Sequence, residues 1–149
     1  MPVMHMNLAA AIIIILVAFF SLMFFINLGK YNKILVKRNK VESLFVELDK
    51  LFKKKINLIT KHKFNDDLTI QFAKLKRDYK LNKNINDKID YIYQINLITE
   101  KVQDDEIKKI DEKLKYSAEI YNKEVIEYNN EIALFKYKKL PKYNVYKSE

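Results

Sequence analysis

The 149-residue chain has no cysteine, no tryptophan, one glycine, two prolines and two histidines. Each scarcity removes a class of chemistry. Without cysteine, and with His5 and His62 on opposite sides of a long apolar run, neither thiol chemistry nor a zinc site is expected. A single glycine, Gly29, leaves no phosphate-cradling loop and no dinucleotide fingerprint. Ser21, Ser43, Ser117 and Ser148 build no convincing serine–histidine–acid cluster, and the Glu-x-x-His motif of di-iron bundles is missing. The expectation is a non-enzymatic protein with no catalytic residue, cofactor or metal. Prolines occur only at Pro2 and Pro141, so helix is favoured nearly everywhere and glycine-turn hairpins are not expected.

Charge is also missing from the first 29 residues, which hold no Lys, Arg, Asp or Glu. From Leu8 to Leu28 only Ser21 and Asn27 interrupt an apolar or small run. As a helix that run rises about 31 Å, close to the roughly 30 Å hydrocarbon core of a bilayer. A cleaved signal peptide fits worse, because the run is too long and no basic segment precedes it. After it come Lys30, Lys33, Lys37, Arg38 and Lys40 before the first acid, Glu42. The positive-inside bias then predicts a single-pass protein of the cell membrane, N-terminus outside and the rest cytoplasmic. Residues 1–7 form the short outer end, 8–28 the transmembrane helix, 30–137 the cytoplasmic bundle and 138–149 a basic aromatic tail.

The net charge of +9 is unevenly spread: residues 42–135 carry 18 bases and 18 acids. The excess lies in 30–40 and in the tail, where Lys136, Lys138, Lys139, Lys142 and Lys147 face a single acid, Glu149. Tyrosines interleave with these lysines in FKYKKLPKYNVYK (135–147). Such a segment suits a membrane surface with anionic headgroups; the alternative is a tether that recruits nucleic acid or another acidic partner.

Helical periodicity divides the rest. Val41, Phe45, Leu48, Phe52 and Ile59 keep a three–four step, with Lys55 on the same stripe, its stem over apolar neighbours and its ammonium in water. Asn65 or Asp66 opens a second helix with Leu68, Phe72, Leu75 and Tyr79, and Asn82, Asn84 and Asn86 end it. A third carries Ile85, Ile89, Ile92, Ile95, Ile98 and Val102. QDDE at 103–106 is either a polar turn of that helix or a new start, with a cap at Asp104 favoured.

The last segment repeats a pair: Tyr121-Asn122 and Tyr128-Asn129 stand one heptad apart. Leu114, Ala118, Tyr121, Val125, Tyr128, Ile132 and Phe135 follow the four–three spacing of a helical seam. Both tyrosines are therefore expected in the core, with the asparagines one step off it. A ligand site built from the Tyr-Asn pairs is the alternative.

YNKILVKRNKVESLFVELD (31–49), KKKINLIT (53–60) and AEIYNKEVIEYNNEIALF (118–135), following an apolar span, resemble the LemA family of bacterial membrane-anchored helical proteins. Tyr31, Asn32, Val36, Asn39, Val41 and Glu42 match its first motif; Tyr121, Asn122, Val125, Tyr128, Asn129, Ile132 and Phe135 match its last. The family's Arg-x-Asp-Leu-Ile-Pro stretch stands here as Lys55-Ile56-Asn57-Leu58-Ile59-Thr60, without the proline. The resemblance implies an all-α fold, an N-terminal transmembrane helix continuing into an antiparallel up-and-down four-helix bundle. It implies a scaffold or interaction module whose partners are membrane or cytoplasmic proteins.

Helices near 30–62, 65–81, 85–102 and 105–137 would let the first and last pair over roughly 50 Å. Phe135 would then lie near Tyr31, and the tail would lie on the membrane beside residues 30–40. If 85–137 were one helix, the bundle would have three legs.

Overall fold

The computed structural model describes residues 7–135, apart from the Phe135 side chain, and residues 139–147. Four helices account for the described regular structure: α1 (Leu8–Thr60), α2 (Asp66–Leu81), α3 (Ile85–Ile98) and α4 (Asp105–Phe135). The chain divides into two compact units, one up to Val36 and one from Lys37 onward.

The first unit contains the apolar part of α1. Its most apolar stretch has a mean hydropathy of 3.0 and none of it is buried. Ile13, Phe20 and Phe25 are each about 60–66% exposed, so the helix presents hydrocarbon outward. It is one helix long and apolar enough to cross a membrane. Val36, expected in the core as part of the LemA-like motif, is 67% exposed.

In the second unit the helices run up, down, up and down. Lys37 meets Glu131, Lys40 meets Glu124, Phe45 stacks near Tyr121, Lys55 meets Asp111 and His62 meets Asp104. Those pairs set α1 and α4 antiparallel over the whole unit. Tyr79 of α2 packs edge-on against Phe52, while Lys76 reaches Thr60, so α2 also opposes α1. Lys88 to Asp49 and Lys55 to Asn96 make α3 parallel to it. The shared core is Val41, Phe45, Leu48, Phe52, Ile56 and Ile59 of α1 with the α4 seam Ile107, Leu114, Ala118, Tyr121, Val125, Tyr128 and Ile132.

Local signals place the helix ends. Asn65 caps α2 by accepting from Leu68 N–H, and Asn84 caps α3 by accepting from Asn86 and Asp87 N–H. Asp104 caps α4 at 2.7 Å from Ile107 N–H. That bond, then the His62 ring, holds its carboxyl below the usual range. The break at 99–104 excludes the three-leg arrangement, and α3 stops at Ile98, short of Val102. Lys55 also departs from expectation. Ile56 takes the core position, and the Lys55 ammonium ends on Asp111 at 2.6 Å and Asn96 at 3.0 Å instead of in water.

The helices are unequal, with α2 and α3 at 16 and 14 residues against 31 in α4. Their side chains meet α1 only between Asp49 and Thr60. Toward Lys37, α1 and α4 form a pair without a third helix on their seam. Residues 140–147 fill that place.

Candidate functional site

The tail does not lie on a membrane surface beside residues 30–40 as a separate segment; it belongs to the second unit. It turns back along α4 as a strap without helix or strand. Leu140, Tyr143 and Tyr146 are buried, at 9%, 7% and 7% exposure, while Pro141, Lys142, Asn144 and Lys147 are exposed. One residue in three faces the bundle. That is the repeat of a polyproline II segment; a strand would alternate every second residue.

The Tyr-Asn pairs of α4 hold this strap by its main chain. Asn129 donates its amide N–H to Tyr143 C=O at 2.8 Å and accepts Tyr143 N–H at 3.1 Å. One heptad back, Asn122 donates to Tyr146 C=O at 3.0 Å and accepts Tyr146 N–H at 2.7 Å. The Tyr128 hydroxyl donates to Pro141 C=O at 2.9 Å, and the Tyr121 hydroxyl to Asn144 C=O at 3.1 Å. From α3, Asn86 donates to Lys142 C=O at 2.9 Å and accepts Asn144 N–H at 2.7 Å.

The registers match for a simple reason. Seven residues of α-helix rise about 10.5 Å, and three residues of polyproline II rise about 9.3 Å. A Tyr-Asn pair repeated every seven residues on α4 therefore meets the strap every three. Polyproline II makes no hydrogen bonds of its own, so its N–H and C=O groups are open to such readers.

Side chains of the strap complete the site. The Tyr143 ring lies 5.3 Å from that of Tyr128, and its hydroxyl donates to Glu42 at 2.7 Å. Arg38 Nε donates back to the same hydroxyl at 3.3 Å and to Glu42 at 3.1 Å. Burial, then the Glu42 bond, pushes the Tyr143 phenol up to about 12, against the pull of Arg38. Burial likewise raises Tyr121, Tyr128 and Tyr146. These phenols are neutral donors at physiological pH, so the tyrosine–asparagine ladder holding the strap carries no charge. Beyond Tyr146 a cleft of about 690 Å³ opens between Lys55, Asn96, Asp111 and Lys115.

The other polar cluster is structural. Asp49 accepts from the Tyr79 hydroxyl, from Lys53 at 2.9 Å and from Lys88 at 3.2 Å, and Lys88 lies 4.9 Å over the Tyr79 ring. Burial raises the Asp49 carboxyl, but the bonds from Tyr79, Lys53 and Lys88 outweigh it and hold the group low. No three His, Cys, Asp or Glu side chains could hold a metal ion among the described residues.

The expected site residues divide accordingly. Tyr121, Val125, Tyr128 and Ile132 are buried, and Val41 joins them. Asn122, Asn129 and Glu42 are half-buried and meet the strap; Asn32, Val36 and Asn39 are exposed and Tyr31 is 37% exposed. Of the bases assigned to a membrane surface, Lys37, Arg38 and Lys40 are engaged by Glu131, Glu42 and Glu124. Lys30, Lys33, Lys139, Lys142 and Lys147 are exposed. Lys136 and Lys138, like the Phe135 side chain, lie outside the described residues. The rings of Tyr143 and Tyr146 are buried, so they present no face for stacking on bases. Sequence reasoning missed Asn86 and the whole strap. The signal was Leu140-x-x-Tyr143-x-x-Tyr146 after the second proline. No family model, curated protein or solved structure matches this chain.

Proposed function

We propose that this is a non-enzymatic single-pass membrane protein of the LemA type, its cytoplasmic helical bundle a scaffold or protein-interaction module at the membrane. The observation that carries the reading is the paired clamp of Asn122 and Asn129 on the main chain of an extended segment. Reading N–H and C=O groups while enclosing every third side chain is how polyproline II ligands are recognised. It performs no bond chemistry.

The membrane part rests on the apolar, outward-facing run and on the bases that follow it. Lys30 and Lys33 come directly after the span and suit anionic headgroups, with each nearby lysine worth about 1 kcal/mol. That asymmetry favours an outer N-terminus and a cytoplasmic bundle in the cell membrane.

Two readouts test this. A reporter fused after Glu149 is active in the cytoplasm, and protease added outside intact spheroplasts leaves the bundle whole. Capture of the detergent-solubilised protein from its own cells brings down a defined set of membrane or cytoplasmic proteins. External cleavage of the bundle sinks the orientation, and a capture without companions sinks the scaffold role.

A further inference from the structure

We propose that the strap is exchangeable: residues 140–147 of one copy dock in the groove of a second copy, giving a dimer by reciprocal strap exchange. This rests on the interaction-module reading and names a partner for it, another molecule of the same chain.

The groove is formed by α1, α3 and α4, and everything it grips belongs to the strap. Eight hydrogen bonds from Asn86, Tyr121, Asn122, Tyr128 and Asn129 end on strap main chain. Leu140, Tyr143 and Tyr146 fill the apolar side. The groove therefore selects a Leu-x-x-Tyr-x-x-Tyr segment in polyproline II form, and the segment shown to fit is the chain's own. Only residues 136–139 join α4 to Leu140.

A foreign segment taking the groove would expel Leu140, Tyr143 and Tyr146 into water, with their apolar area uncovered. Two copies that exchange straps uncover nothing. Each groove stays filled by the same side chains, each amide keeps its partner, and only the connector changes path. Anchoring both copies in one membrane raises their local concentration and favours the exchanged form. The ladder is uncharged, so salt does not oppose it.

The absence of cysteine makes the test direct. Full-length Glu42→Cys and Tyr143→Cys variants are prepared separately, reconstituted together in liposomes and oxidised. Asn86→Cys with Lys142→Cys is a second pair, which spares the Tyr143 ring. Tyr116→Cys, on an exposed position, measures random collision. Exchange gives a disulfide-linked dimer between the two members of each pair, above the Tyr116→Cys background, and adding Asn122→Ala and Asn129→Ala abolishes it. If both mixtures stay at background while the double-cysteine chains close internally, the strap is a cis element and the exchange is overturned. That outcome leaves the scaffold reading to its own capture experiment.

Discussion

Asn129 of α4 and Tyr143 of the strap are joined twice, amide N–H to carbonyl at 2.8 Å and main-chain N–H to amide oxygen at 3.1 Å. Asn122 repeats the arrangement on Tyr146. A side-chain amide matches a peptide group donor for acceptor, which neither a hydroxyl nor a carboxylate can do. Replacing either asparagine by Ala leaves a main-chain N–H and C=O of a buried strap residue without partners. The expected cost is about 1–3 kcal/mol for each such group left buried, less where water enters. Trypsin then cuts at Lys142 and Lys147 faster in the variant, while α4 stays protected. Equal melting and equal cleavage would mean the asparagines do not hold the strap.

Tyr121 and Tyr128 combine two roles that separate substitutions can tell apart. Both are fully buried, and each hydroxyl ends on a strap carbonyl. Truncation to Ala removes a core ring and should cost about 3–5 kcal/mol. The Phe variant keeps the ring and loses one hydrogen bond, about 0.5–1.5 kcal/mol. Denaturant melts of the four variants give the contrast. Ala variants as stable as wild type would remove these rings from the core.

The helices were legible because their signals are local. Asn65, Asn84 and Asp104 sit next to the backbone they cap, and the seam from Leu114 to Ile132 repeats every turn. The strap was not, because its lysines and tyrosines have the composition of a membrane-surface segment. What places it is a vacancy on the α1–α4 seam, visible only once α2 and α3 prove too short to cover it. Seven residues of helix answering three of strap is a relation between elements, and no window on either one contains it. Lys55 fooled the stripe for a smaller reason: Ile56, one position on, took the buried place, leaving the lysine to Asp111.

Asp49 should be the most sensitive polar residue of the bundle. It accepts from Tyr79, Lys53 and Lys88, and the Lys88 side chain is only 12% exposed. Asp49→Ala strands a nearly buried ammonium and a buried phenol, at about 3–5 kcal/mol by analogy with broken buried pairs. Asp49→Asn keeps a hydrogen-bond acceptor for Tyr79 and should lose less. The carboxyl lies below its usual value in the fold. Its contribution is therefore present above about pH 3.9 and is lost as pH falls through the folded value. Chemical denaturation at acid pH checks the sign: wild type and Asp49→Asn converge as pH falls. A constant gap would separate Asp49 from acid lability.

The strap should also have an alkaline limit set by Tyr143. Its phenol titrates near 12 in the fold, against about 10 in an unfolded chain. A raised value means that the folded state keeps a proton which a released strap gives up. The stabilisation is complete below about pH 10 and disappears as pH rises through about 12. Glu42 drives this, because a phenolate 2.7 Å from a carboxylate loses its hydrogen bond and gains repulsion. Arg38, on the same hydroxyl, pulls the other way, and Tyr128 lies ring to ring behind it. Proteolysis at Lys142 under rising pH reports strap release, and far-ultraviolet dichroism follows the helices. Wild type should release its strap in that window while keeping its helix content. Tyr143→Phe starts weaker, having lost the Glu42 bond, yet should lose most of the pH dependence. Release at the same pH in both proteins would place the alkaline trigger elsewhere on the ladder.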